Sequence, residues 1–343
     1  MDSRGASGVR PYITFVAAAR NDNYEGDFLY RMQLFVSTLA ALVSRHRLRA
    51  DLLLVEWNPP PDRPCLRDAI HWPRDSGLGV RIVTVPENVH RALPNSEKMP
   101  MFEMIAKNCG IRRASGDFVL VTNPDIIFSD EAIAYFAQGS LPEGCFVRAN
   151  RHDVGKRVPM DVPVDQMLRF CSRNVIRVWR GQWGVDERLS AKVRSFVSRP
   201  NPARLVQWVW RSAKERNMVH YDVAGAQLPM LHIGAAGDFM LMSRDRWHSL
   251  RGFPGLPTHS WIDVYMVYLA SAAGLKQLVM PHRIYHQEHE HAEHASRPLT
   301  MLERIPAFQE MLQTHKPVSP NDDDWGLRDL ALPECHVSCS PGD

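Results

Sequence analysis

Nowhere in these 343 residues do eighteen consecutive apolar residues occur, so no membrane-crossing helix is expected. Neither the G-x-x-x-x-G-K phosphate loop nor the G-x-G-x-x-G dinucleotide fingerprint is present, which sets aside the nucleotide-binding classes built on those glycines. Internal repeats and low-complexity tracts are also missing, and with them the solenoid and linker architectures. Cysteine is sparse and scattered: six residues, of which only Cys335 and Cys339 lie close together. The opening "MDSRGASGVRPYITFVAAAR" lacks the basic start, apolar run and cleavage site of a secretory leader. The expectation is therefore a cytosolic protein with reduced, mostly buried thiols, its closing Cys pair part of a frayed tail.

What the chain does contain is an ordinary globular balance, 45% apolar and 23% charged. The net charge of +3 is unevenly spread. Between Gln166 and Arg216 there are 12 Lys/Arg against 3 Asp/Glu, so one segment of +9 sits on a body of about −6. Over the first 150 residues, buried-type strands alternate with helical patterns. "YITFVAAA", "ADLLLVEW", "VRIVTVP" and "DFVLVT" read as strands. Helical spacing follows the first from about Asp27 (Phe28, Met32, Phe35, Val36, Leu39, Val43) and covers Met101–Ala114. Continuous apolar strands alternating with helices imply an α/β fold, a mainly parallel sheet sandwiched by helices, with ligands at the strands' carboxyl ends. Three polar clusters fall there: Arg20-Asn21-Asp22-Asn23, Glu56 and Asn123-Pro124-Asp125.

The alternation stops from about 151 to 230, a stretch rich in Arg and Trp that reads as a basic helical insertion. It resumes with "GDFMLMS", a helix over Trp261–Ala273, and "LKQLVM" before the His-rich run His282–His294. The expected organisation is 10–150 and 231–300 as two halves of one domain, 151–230 as the insertion, and 301–343 as a tail.

A carboxylate at a strand's carboxyl end can hold a hard cation that bridges a diphosphate; the plain alternative for Asn-Pro-Asp is turn chemistry before a helix capped by Ser129. The surrounding "KMPMFEMIAKNCGIRRASGDFVLVTNPDIIFSDE" resembles nucleotide-sugar glycosyltransferases of the GT-A fold, family 2 in particular. In these a helix with Asn-x-Gly-Ile-x-x-Ala-x-Gly (here Asn108, Gly110, Ile111, Ala114, Gly116) leads into a strand ending in Asp-x-Asp. The resemblance implies a Rossmann-like GT-A sheet and an enzyme moving a sugar from a nucleotide donor, UDP by expectation, to an acceptor hydroxyl with Mn2+ or Mg2+. It implies base and ribose contacts at Arg20, Asn21 and Glu56, and diphosphate help from Lys98. Asn123 replaces the first Asp, leaving Asp125 to carry the metal prediction.

The later half, "GAAGDFMLMSRDRWHSLRGF" and "WIDVYMVYLASAAG", resembles the galactosyltransferase-like acceptor side. There a Glu-Asp pair supplies the base of inverting members. Asp263 matches the Asp, while Ile262 stands for the Glu. A carboxylate facing the acceptor could take its hydroxyl proton. A capping box from Ser260 to Asp263 is the alternative, and Asp238 is the other candidate carboxylate. The resemblance also implies a metal-completing His after the last core strand, best matched by His286, with His282 second. His289, His291 and His294 are read as a solvated loop. Their spacing also imitates a metallohydrolase pattern, which needs further ligands downstream.

The basic segment 166–216 is expected to form a solvated face, with peripheral contact to anionic lipid as an alternative that suits a saccharide or lipid-linked acceptor in polysaccharide or glycolipid synthesis. No nucleic-acid module is present, and no nucleic-acid partner is expected. A catalytically silent binding protein of the same fold is the competing function.

Overall fold

Side chains of "ITFVAAA" alternate between two apolar layers. Ile13, Phe15, Ala17 and Ala19 join one core, and Val16 and Ala18 the other, and every one is buried. A strand buried on both faces must lie inside a sheet covered by helices on both sides. The computed structural model describes residues 10–23, 26–73, 75–181, 231–256, 261–289, 302 and 305–337, and the backbone of 183–186, 221–223 and 226–228. Its elements run β1 (Ile13–Ala19), α1 (Phe28–His46), β2 (Ala50–Trp57), α2 (Leu66–Ala69), β3 (Gly79–Val85), α3 (Glu87–Arg91), α4 (Glu103–Arg113), β4 (Phe118–Thr122), β5 (Ile126–Phe128), α5 (Asp130–Ala137) and β6 (Cys145–Val154). After these come α6 (Val164–Arg173), β7 (Val175–Arg180), β8 (Trp183–Asp186), β9 (Tyr221–Val223), β10 (Ala226–Leu228), β11 (Phe239–Ser243), α7 (Arg244–Ser249), α8 (Ile262–Ala272), β12 (Lys276–Gln287), α9 (Pro306–Thr314) and β13 (Glu334–Val337).

Eleven strands form the main sheet in the order β13-β3-β2-β1-β4-β11-β6-β12-β5, with β7 and β8 branching from β6. The sheet is mixed, which corrects the expectation of a mainly parallel one. The run β3-β2-β1-β4 is parallel, whereas β11, β5, β7, β8 and β13 all join antiparallel. Antiparallel neighbours need no helical crossover, so these strands can join without one.

α1 lies on one face, burying Phe28, Met32, Phe35, Val36, Leu39 and Val43, the stripe that its spacing predicts. α4, α7 and α8 cover the other face. α8 is buried along Val264–Ala270, so it is a core helix rather than an amphipathic one. Each such large apolar side chain removed from water contributes on the order of 1.5–3 kcal/mol.

Two further expectations change. The stretch from 151 opens with the end of β6 and continues through β7 and β8, so its described part extends the sheet and contains one helix, α6. The C-terminal stretch is no loose tail at Cys335, which pairs within β13 against Ile82 of β3; Cys339 lies outside the described residues. Among the described residues no helix is long and apolar enough to cross a membrane.

Candidate functional site

Parallel registry brings the first polar clusters to one edge. Ala19 lies beside Glu56, and Ala17 beside Thr122, so the chain leaves β1, β2 and β4 on the same side of the sheet. The antiparallel partners then fold their own polar residues onto that edge. Thr122 pairs with Phe239, which sets Asn123 against Asp238, and the Thr122 hydroxyl donates to the Asp238 carbonyl at 2.9 Å. β12 runs past a bulge between Met280 and Ile284, so that His286 pairs with Ile126 of β5 on one side and Asp153 of β6 on the other.

The result is a continuous polar chain in an apolar setting. The Lys107 ammonium, fully buried, donates to Glu103, to Asn123 Oδ1 at 2.6 Å and to the Gly237 carbonyl at 2.9 Å. Asn123 Nδ2 donates to Asp238 Oδ1 at 2.7 Å, and Arg151 Nη1 donates to Asp238 Oδ2 at 2.5 Å. Arg151 also reaches Asp153, Nε to Oδ1 2.9 Å, and its guanidinium lies 5.2 Å from the Trp179 ring centre. Asp153 accepts from Trp179 Nε1 at 2.9 Å and sits 3.4 Å from His286 Nδ1. His286 Nε2 then lies 3.6 Å from Asp125 Oδ2, and His289 Nε2 lies 3.5 Å from the same oxygen. Asp263, in the first turn of α8, accepts from the Gly237 amide at 2.9 Å.

The loop before β11 is shaped by a second buried cation. Arg148 donates to the carbonyls of His232, Gly234 and Ala236, at 3.2, 2.8 and 3.2 Å. Desolvation pulls this guanidinium down to about 10, partly offset by the charges of Asp263 and Asp238. His232, beside it, is pushed down to about 3 by burial and by the Arg148 charge.

Among the described residues, two sets of donor atoms, each within 4.8 Å, could hold an ion: Asp125 with His286 and His289, or Asp153 with His286 and Glu288. Asp153 is already engaged by Arg151, Arg177 and Trp179, an environment that repels a cation. Asp125 differs in its cations: an oxygen of each of Asp125 and Asp153 is buried without a hydrogen-bond partner, but Arg31 stands 3.9 Å from Asp125 whereas Arg151 and Arg177 approach Asp153 to 2.9 and 3.3 Å. Nitrogen and carboxylate oxygen suit Mn2+, so the Asp125 set fits and the Asp153 set does not. In the fitting set, Asp153 stands behind His286 Nδ1, as carboxylates do behind metal-binding imidazoles. Burial opposes ionisation of Asp125, but the His286 and His289 imidazoles hold its carboxyl well below the usual range. Burial and Arg151 oppose the His286 cation, yet Asp125 and Asp153 raise it to about 9. Asp263 moves the other way, raised by burial and then by the Glu103 charge.

No family model matches the sequence, and no curated protein matches it. Among solved structures it is similar to "Mannosyltransferase PcManGT from Pyrobaculum calidifontis in complex with GDP-Man and Mn2+", at 12% identity and a TM-score of 0.38. That alignment covers 81% of this chain and 57% of the other, so the chain spans little over half that protein's length. At those values the likeness assigns no family, and the site is read from its own geometry.

Of the residues singled out in the sequence, Asn123, Asp125, Asp238, Asp263 and His286 come together in this network. Arg20, Asn21 and Glu56 lie at the same sheet edge but are turned to their own loops. Arg20 donates to the Asn58 carbonyl at 2.8 Å and pairs with Asp22, and Asn21 donates to the Pro64 carbonyl at 2.9 Å. Buried Glu56 accepts from the Leu66 amide at 2.7 Å. Lys98 is exposed and 3.6 Å from Glu97. His289, expected in a solvated loop, is instead packed on His286 with ring centres 5.1 Å apart. The longer strand explains this, since β12 runs to Gln287 and carries the first part of the His-rich run up to Asp125.

His291 and His294, the proposed Ser260 cap and most of the basic segment lie outside the described residues. Sequence reasoning missed Lys107, Arg148, Arg151 and Asp153. For the last three the signal was the Arg148-to-Asp153 run interrupting an apolar strand; Lys107, inside α4, had none. A groove of about 510 Å³ along α1, beside Gln33, Ser44 and Trp72, shares no residue with this network.

Proposed function

We infer that the protein is a metal-assisted glycosyltransferase using a nucleotide sugar, with UDP the expected nucleotide, and belonging to the GT-A class. One observation carries the reading: Asp125, His286 and His289 converge at the carboxyl edge of the parallel strands, within the same polar network as Asp238 and Asp263. A ligand at such an edge meets the strand ends directly. Asp125, His286 and His289 would hold Mn2+ or Mg2+, which supplies positive charge to diphosphate oxygens as the bond to the sugar breaks. Arg31, whose Nε is 3.9 Å from Asp125, adds a cation on the same side.

The two acceptor-side carboxylates divide the remaining work. Asp238 has one oxygen bound by Asn123 and the other by Arg151, which fixes its orientation and suits it to holding a sugar hydroxyl. Asp263 has its carboxyl raised by burial and Glu103, which improves it as a base for the acceptor hydroxyl proton. Attack opposite the departing diphosphate then inverts the anomeric centre.

The second reading, a donor-binding protein without turnover, is favoured by Ile262, buried where the resemblance places a Glu. Thermal-shift and UDP-release assays with UDP-sugars, with and without Mn2+, decide between them. Mn2+-dependent stabilisation and UDP release by wild type, both lost in Asp125→Ala, are expected. Stabilisation without UDP release gives the second reading. Responses unchanged by Asp125→Ala reject the metal site.

A further inference from the structure

At the position where the resemblance expects a metal-binding Asp, Asn123 is occupied twice by the protein itself. Its Oδ1 accepts from Lys107 and its Nδ2 donates to Asp238. A side-chain amide accepts on one side and donates on the other; an ionised Asp would set one carboxylate against another across 2.7 Å. Lys107, which only donates, links the two sides as well. It ties Asn123 to the Gly237 carbonyl, while the Gly237 amide binds Asp263. The ammonium is fully buried, so its three donor directions are committed to the groups that it holds. Gly237 packs close beside both: a Cβ there would lie 3.2 Å from the flexible Met104 Cε and at contact distance, 3.6 Å, from Asp263 Oδ2.

We propose that Asn123 and Lys107 are positioning residues that hold Asp238 and Asp263 in register across the Gly237–Asp238 peptide, and that Asn123 is not a metal ligand. This rests on the glycosyltransferase reading. Asn123 is then no decayed metal position. The ion falls to Asp125 and two imidazoles, and the freed position joins the metal side of the cleft to the acceptor side. The residue determines where the acceptor carboxylates stand rather than how tightly the ion binds.

The test separates the two roles by sign. Mn2+ affinity is measured by calorimetry without nucleotide for wild type, Asn123→Ala and Asp125→Ala. UDP release is followed for wild type, Asn123→Asp and Lys107→Met with UDP-glucose, UDP-galactose and UDP-N-acetylglucosamine. Mn2+ affinity within about threefold of wild type is expected for Asn123→Ala, against a loss of at least about tenfold for Asp125→Ala.

With the best of the three donors, kcat falls about ten- to a hundredfold in Asn123→Asp and Lys107→Met while the donor KM stays near wild type, as expected for losing one charge-assisted hydrogen bond. A tenfold loss of Mn2+ affinity in Asn123→Ala, or a gain of kcat in Asn123→Asp, overturns the proposal. If wild type binds Mn2+ but releases no UDP from any donor, the catalytic reading fails and the calorimetric arm still decides the role of Asn123. If Lys107→Met does not fold, the near-isosteric Asn123→Asp carries the kinetic arm alone.

Discussion

Replacing Asp153 by Asn tests which of the two overlapping donor sets binds the ion. The side chain is fully buried, and the change preserves its shape and its acceptance from Trp179 while removing the charge behind His286 Nδ1. Arg151 keeps Asp238 as an ionic partner, so no buried cation is stranded. If Asp125, His286 and His289 hold the metal, Asp153 acts through His286 by fixing its tautomer and basicity. Losing such a partner weakens metal affinity about 10- to 100-fold, or about 1.4–2.7 kcal/mol. Calorimetric titration with Mn2+ is the assay, beside Glu288→Gln and with melting temperatures checking folding. The expected pattern is a graded loss for Asp153→Asn and near wild-type binding for Glu288→Gln. If both variants abolish binding while Asp125→Ala spares it, the ion belongs to Asp153, His286 and Glu288, and the argument from the surrounding arginines is refuted.

Two further expectations concern the frame around the site. His232 has a folded pKa of about 3 against an ordinary 6.5, so its neutral form stabilises the protein fully above pH 6.5 and that contribution is lost as pH falls toward 3. Urea unfolding at pH 7 and 5 reads this as a loss of about 2 kcal/mol in wild type that shrinks in His232→Gln, since each pH unit is worth about 1.4 kcal/mol per proton. An equal loss in the variant refutes it. In Gly110→Ala, the new methyl would stand 2.5 Å from Val16 Cγ1 and 3.2 Å from Val55 Cγ2, both fully buried. Overpacking of about 1–3 kcal/mol outweighs the helix-propensity gain of up to about 1 kcal/mol, and a lowered urea midpoint checks the sign.

The legible part of this molecule is the part governed by local pattern. β1, β2 and β4 are continuous apolar runs, and a chain that leaves such a strand through Asn-Pro-Asp announces a sheet edge. α1 shows its stripe at 3.6-residue spacing, and Gly110 sits where only a hydrogen fits between α4 and the strands beneath it. What stayed illegible depends on registry between distant segments. "CFVRANRHDV" looks too charged for an interior strand, yet Arg148 and Asp153 are fully buried there because their partners come from other segments: the carbonyls of His232, Gly234 and Ala236 for Arg148, and Trp179 and His286 for Asp153. Nothing local in the His-rich run separates His286, His289 and the later histidines. The bulge in β12 and its pairing with β5 and β6 make that separation. The α6–β8 stretch misled for a related reason: Arg and Trp at mixed spacing suit a solvated helix as well as a strand whose Trp179 stacks on Arg151.

The charges explain why such a costly network persists. Lys107, Arg148 and Arg151 are buried cations, and burying one without a partner is strongly unfavourable. Arg151 is compensated by Asp238 and Asp153 at contact distance. Lys107 has Glu103, and Arg148 has only carbonyls at contact, with Asp263 and Asp238 acting through space. A hydrophobic replacement of the same volume would often stabilise a fold as well or better, so stability alone gives no reason for this arrangement. What the cations do accomplish is to fix carboxylates at a sheet edge while leaving Asp125 Oδ1 buried with no hydrogen bond from the protein. An edge that spends so much electrostatic compensation on positioning acids, yet leaves an oxygen of each of Asp125 and Asp153 without a hydrogen bond, could hold an external cation. On the proposed reading a divalent ion would displace the His286 proton, and the single carboxylate would then offset half of the ion's charge, leaving the rest for an anionic ligand such as a diphosphate.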